Sequence, residues 1–227
     1  LLWLGSSVFQ GFGARNTSPA LWIDAMDGTI STIEVKGGTF LASIDGSIGG
    51  GVAGSISADS SYINRLRNHT AETDPDLDLV VVQLSTNDSK GQCETGVVSD
   101  SFDPATFDEV TTTGALEAII AYAKETWGAR VLVITGTYFE DEMTYSGGQN
   151  AEIYKTMIER CHELDEKWGD DFTVLDLWHN DAMYENVKTG DALWRSYMSD
   201  AIHPTKKGYL EWWGPYIEAQ LYEMLAD

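Results

Sequence analysis

Between Leu77 and Leu84 the chain is almost continuously apolar, with Leu79, Val80, Val81 and Val82 in direct succession. A strand with one wet face alternates between apolar and polar residues. A run that is apolar at both parities needs cover on both faces, which is the situation of a parallel sheet clad by helices. Parallel neighbours cannot be joined by a tight hairpin, so each must be linked by a crossover of a dozen residues or more.

The rest of the chain has the segments such crossovers require. Leu1 to Leu4 reads as a first strand, and Pro19 to Met26 as a short helix with Thr17 or Ser18 as cap. Thr29 to Lys36 has strand composition and stops at Gly37-Gly38; a Gly/Ser-rich loop, Asp45 to Ser55, follows. Ser57 to Asn68 reads as a helix with Tyr62, Ile63 and Leu66 inward. Ala115 to Trp127 reads as another, with Leu116, Ile119, Ile120, Ala123 and Trp127 on one side. Arg130 to Thr135 is the next strand. Asn150 to Trp168 is a helix burying Ile153, Met157, Cys161 and Leu164. Thr173 to Leu177 is a last strand, and Thr205 to Leu225 a final helix anchored by Leu210, Trp213, Ile217 and Leu221. This order predicts an α/β fold with right-handed crossovers and helices on both faces of the sheet. In such sheets binding sites form beyond the carboxyl ends of the strands, where the strand order reverses.

With 227 residues and no linker composition, residues 1–227 are expected to form a single domain. The chain begins without methionine and almost inside a strand, so a preceding segment is expected. Thirty-six acidic residues face 14 basic ones, a balance that repels nucleic acid and anionic membrane, because phosphate contacts need Lys and Arg. No apolar run approaches the ~20 residues needed for a membrane span. Cys161 reads as a small buried hydrophobe and Cys93 as a loop residue. No Cys/His spacing suits a metal, and no cofactor is expected.

Three short motifs carry chemistry. Gly5-Ser6-Ser7 breaks the first strand, Ser85-Thr86-Asn87-Asp88 closes the apolar strand, and Asp200-Ala201-Ile202-His203-Pro204 lies near the end. Each alone suits an ordinary turn or cap. Together they provide the parts of acyl transfer. Ser7 offers a hydroxyl, His203 an imidazole, the side-chain type best suited to act as a base at neutral pH, and Asp200 an acceptor to fix the histidine tautomer. The Asn87 amide and the Ser7 and Gly38 backbone N–H groups are candidate oxyanion donors. His69, His162 and His179 have no partners at useful spacing and read as surface or packing residues. Trp212 and Trp213 read as core or groove wall.

These residues resemble the SGNH hydrolases, also called GDSL-type esterases, over essentially the whole chain and in the family's block order. On this resemblance Ser7 matches the nucleophile, with Ser6 where the family has aspartate. Asn87 matches the oxyanion asparagine, with Ser85 where the family has glycine, and Asp200 and His203 match the last block in full. The family glycine fits Gly38, directly after the second strand; Gly54, in Ala53-Gly54-Ser55, fits the family's wording too. The adjacent hydroxyls of Ser6 and Ser7 leave two candidates for the nucleophile. The resemblance implies a flavodoxin-like, three-layer α/β/α fold with about five parallel strands, and esterase activity without metal or cofactor.

The expected substrate is a small-molecule or carbohydrate ester with a short acyl chain, O-acetyl groups on carbohydrate included. The pocket residues would come from three connections: Ser89 to Thr113, Tyr138 to Gln149 and Asn180 to Ser199. These contribute Phe102, Phe107, Tyr138, Phe139, Tyr145, Tyr184, Trp194 and Tyr197. No segment reads as a long amphipathic lid, which argues against a triglyceride lipase. An acyltransferase using the same site, or a non-catalytic ligand-binding module on the same fold, are the alternatives.

Overall fold

A computed structural model of the chain describes residues 1–15, 17–27, 29–46, 57–139, 149–188 and 192–226. Among them five strands form one parallel sheet: β1 (Leu2–Gly5), β2 (Thr32–Val35), β3 (Leu79–Gln83), β4 (Arg130–Ile134) and β5 (Phe172–Leu175). Their spatial order is β2-β1-β3-β4-β5, the flavodoxin-like order. The helices are α1 (Ser7–Gln10), α2 (Pro19–Asp27), α3 (Tyr62–Leu66), α4 (Thr86–Gly91), α5 (Thr112–Trp127) and α6 (Ala151–Trp168). They continue with α7 (Asp181–Lys188), α8 (Ala192–Tyr197), α9 (Lys206–Gly208) and α10 (Gly214–Leu225).

All five residues of β3 are buried, as its composition requires, and alternate side chains feed two separate cores. Val80 and Val82 join Leu2, Leu4, Val131 and Val133 against α3, α5 and α6. Leu79 and Val81 join Trp3, Leu132 and Ile134 against α1, α2 and α10. The result is three layers, each strand side chain in the central sheet contributing roughly 1.5–3 kcal/mol by leaving water. Caps fix the long helices. Thr111 Oγ1 accepts from the Gly114 amide at the start of α5, and Asn150 Oδ1 from the Ile153 amide at the start of α6.

Four segments depart from the sequence reading. The helix expected over Ser57 to Asn68 is split, because Ser61 adopts extended backbone and caps α3, leaving only a 3-10 turn at Ala58–Ser60 before it. The final helix opens through a π turn, Tyr209–Trp213. This turn sends Tyr209 and Trp212 inward and leaves Leu210 40% exposed, although a regular 3.6-residue period would bury Leu210. The expected loop Asn180 to Ser199 contains α7 and α8; eight- and six-residue helices are too short for their period to stand out. The long polar connection is helical at its start, in α4. The remainder is stapled by Lys167, whose ammonium reaches Glu117 Oε1 at 2.5 Å and the Ser101 carbonyl at 2.6 Å.

Candidate active site

The chain leaves β1 toward β2 and leaves β3 toward β4, so a crevice opens beyond the carboxyl ends of β1 and β3. Ser7 follows β1 directly. Its Oγ lies 2.8 Å from His203 Nε2, and His203 Nδ1 lies 2.7 Å from Asp200 Oδ2. The other Asp200 oxygen accepts the amides of Ile202 at 2.9 Å and His203 at 2.7 Å. Aspartate and histidine three residues apart are thereby folded onto each other within one turn. Burial works against the Asp200 charge. The His203 hydrogen bond, its charge and the two amides outweigh this and hold the carboxyl below its ordinary value. Ser7 is half-buried and His203 buried.

The histidine turn is closed by the Ser199 amide on the His203 carbonyl (2.8 Å) and the Thr205 amide on the Tyr197 carbonyl (2.8 Å). It also packs tightly on the loop after α1. A Cβ on Gly13 would lie 2.3 Å from the Pro204 carbonyl oxygen and 3.0 Å from that of His203, so only glycine fits there. The neighbouring Phe12 ring sits 4.9 Å from the His203 ring, centroid to centroid, yet remains 59% exposed.

Gly38 adopts φ +76°, a left-handed conformation that favours glycine, in the turn after β2. That turn lies beside the serine: a Cβ on Gly37 would be 3.7 Å from Ser7 Cβ. Asn87 Nδ2 donates to the Thr39 carbonyl at 3.0 Å, which ties the turn to the end of β3 and leaves the second amide hydrogen of Asn87. Asp88 continues the clamp, accepting the Leu41 amide at 2.8 Å and the Ala42 amide at 2.9 Å. Burial pushes its carboxyl up to about 6, against the pull of those amides and the Ser85 hydroxyl. The Ser7 and Gly38 amides have no acceptor among the described residues. Gly54 lies outside the described residues.

Ser6 and Ser7 are separated by their surroundings. Ser6 is fully buried and its Oγ accepts from Gln83 Nε2 at 3.1 Å, whereas Ser7 Oγ meets the histidine. Two more polar groups, to which the sequence reading gave no role, brace this end of the sheet. Gln83, the last residue of β3, accepts the Ser6 and Phe9 amides; Arg65, buried, donates to the Gly5 carbonyl at 2.9 Å and the Glu34 carbonyl at 2.6 Å. A polar residue closing an otherwise apolar strand was the available clue to Gln83. Gly5 is required by packing, since a Cβ there would lie 2.7 Å from Phe9 Cβ.

The remaining histidines do not reach the site. His69 pairs with Asp74 at 2.9 Å; His162 and His179 share Asp176 Oδ2 at 2.9 and 2.7 Å. Among the described residues no group of histidine, cysteine and carboxylate side chains is placed to hold a metal ion. Both cysteines are free and buried. The expected cleft aromatics divide. Tyr138, Phe139 and Tyr184 line a cavity of about 370 Å³ beyond β4 and β5, with Trp178. Phe102 and Phe107 instead pack on Trp168 at the end of α6 that leads into β5, where Lys167 recruits them by cation–π contact. Trp194 and Tyr197 lie on α8, Tyr197 against Trp212, and Tyr145 is outside the described residues.

A 2-1-3-4-5 parallel sheet with serine, asparagine, aspartate and histidine beyond the carboxyl ends of its strands is the layout expected of an SGNH hydrolase. The GDSL-like Lipase/Acylhydrolase family matches residues 3–210, and the chain belongs to that family; it is an esterase. Its fold is similar to that of a protein from Lactobacillus plantarum (TM-score 0.67, 18% identity, 99% of this chain and 95% of that one). A carbohydrate acetylesterase family member from Sinorhizobium meliloti is similar too (TM-score 0.59, 15% identity, 100% and 98% covered). So is a family two carbohydrate esterase from Clostridium thermocellum, solved with cellohexaose (TM-score 0.61, 14% identity, 99% and 64% covered). No curated protein matches the sequence. Among the described residues no helix is long and apolar enough to cross a membrane.

Proposed function

We propose that residues 1–227 act as one catalytic domain that hydrolyses short-chain carboxylic esters, O-acetyl groups on carbohydrate included, through an acyl-enzyme on Ser7. The observation that carries this reading is the unbroken bond chain from Ser7 Oγ through His203 to Asp200. In the first half-reaction His203 Nε2 takes the Ser7 proton as Oγ bonds to the carbonyl carbon, and the carbonyl oxygen becomes an oxyanion. The Ser7 and Gly38 amides and the second Nδ2 hydrogen of Asn87 receive that charge. Collapse expels the alcohol, which takes the proton back from Nε2. Water then attacks the acyl-enzyme with the same base, releasing the acid and restoring Ser7. Asp200 accepts from Nδ1 throughout, fixing the tautomer and stabilising the imidazolium.

Phe12 supports an alcohol with a ring or apolar face. It lies against the imidazole that protonates the leaving oxygen, and more than half of its surface is open. The likeness to carbohydrate esterases supports the sugar-ester reading. A panel of p-nitrophenyl esters of rising acyl length, with acetylated xylo-oligosaccharides beside it, tests this. The expected outcome is highest kcat/KM for acetyl and acetate release from the sugar ester. Preference for long acyl chains, with acetylated sugars untouched, would contradict it.

A further inference from the structure

We propose that Gln83 is a positioning residue for the nucleophile: its side-chain amide, reaching across from β3, sets the turn that aims Ser7. This rests on the assignment of Ser7 as nucleophile. Gln83 stands one residue beyond the Leu4–Val82 pair, at the carboxyl end of the strand beside β1. It is 2% exposed. Its Oε1 accepts the amides of Ser6 at 3.0 Å and Phe9 at 2.9 Å, and its Nε2 donates to Ser6 Oγ at 3.1 Å.

These three bonds bracket Ser7 on both sides. Ser6 is the N-cap residue of α1, but its side chain makes no capping bond. An N-cap serine ordinarily accepts from the third helical amide, here Phe9. Gln83 makes that bond from another strand, 74 residues away in sequence. The Ser6 hydroxyl is freed to accept from Gln83, and the Ser7 amide between the two bonded ones is left without an acceptor. A neutral amide offers at once an acceptor for two N–H groups and a donor for a hydroxyl, and keeps both at every pH. A permanent carboxylate would bury a charge and could not donate to Ser6, and an apolar side chain would strand two buried amides.

The test uses the full chain and an alkyl fluorophosphonate. Gln83→Met keeps the volume and removes all three bonds. It should slow fluorophosphonate labelling of Ser7 and lower kcat on p-nitrophenyl acetate by the same factor, about 10–100-fold, with KM changed less than twofold. A purely architectural role predicts a lower Tm with unchanged labelling and kcat well below that Tm, and this result overturns the proposal. Should Gln83→Met fail to fold, Gln83→Glu serves. Protonated glutamic acid can accept both amides and donate to Ser6, and the carboxylate cannot donate. Its rate relative to wild type should therefore fall as pH rises from 5 to 8; a flat ratio overturns the proposal. Failure of wild type itself to label at Ser7 would instead strike the nucleophile assignment.

Discussion

Ser7 and His203 meet at 2.8 Å from 196 residues apart, and they are held in opposite ways. Ser7 is fixed by the sheet: it leaves a fully buried strand, and Gln83 on the next strand binds the amides on either side of it. His203 is fixed by its own turn, through Asp200, Ser199 and Thr205, and touches the rest of the site at a glycine and an exposed phenylalanine. Ser7 thus inherits the stability of the core. His203 depends on a local loop and on how closely that loop docks against residues 12 and 13. Damage to the docking should lower the rate before it lowers stability, and damage behind the nucleophile should lower both.

The largest effect breaks the pair outright. Ser7→Ala should abolish ester turnover, and His203→Ala should lower kcat roughly 10²–10⁴-fold, each with an unchanged far-UV spectrum. Asn87→Ala comes next, at ~10²–10³-fold in kcat, because an oxyanion donor and the tether to Thr39 go together. Equal kcat in that variant would remove Asn87 from the machinery. Gly13→Ala sharpens the comparison. The added methyl meets two backbone carbonyls and must push the histidine turn away, so kcat should fall by about 10²-fold while Tm changes little.

The smallest effect is on stability. The Asp200 carboxyl titrates below its ordinary value of 3.8 when folded, so its contribution is present above that pH and is lost as pH falls through the lower folded value. Thermal melts of wild type and Asp200→Asn should therefore differ most above about pH 4 and converge in stronger acid. A gap that widens on acidification would reverse the sign.

The sequence allowed the sheet and its covering helices to be read because strand and helix periods are clean where elements are long and buried. Val80, Val81 and Val82 could belong only to a doubly covered strand. The same logic failed where elements are short or irregular. Helices α7 and α8 have too few turns to show a period, Ser61 starts α3 by its cap inside the segment expected to be one helix, and the π turn at Tyr209–Trp213 shifts which residues face inward. Ser7, Asn87, Asp200 and His203 stand out in sequence because their types and spacing are chemical. Gln83, Arg65 and Asp88 each act on backbone groups tens of residues away, and those partners are legible only in three dimensions. Phe102 and Phe107 show the reverse error: aromatic character suggested a cleft, but Lys167 and Trp168 claim both rings.

The most direct test of Ser7 activated by His203 is fluorophosphonate labelling at neutral pH, followed by intact mass and peptide mapping. A single adduct on Ser7 in the wild-type chain, absent in His203→Ala, is the predicted result. An adduct on Ser6, or no adduct on a folded chain, would contradict it.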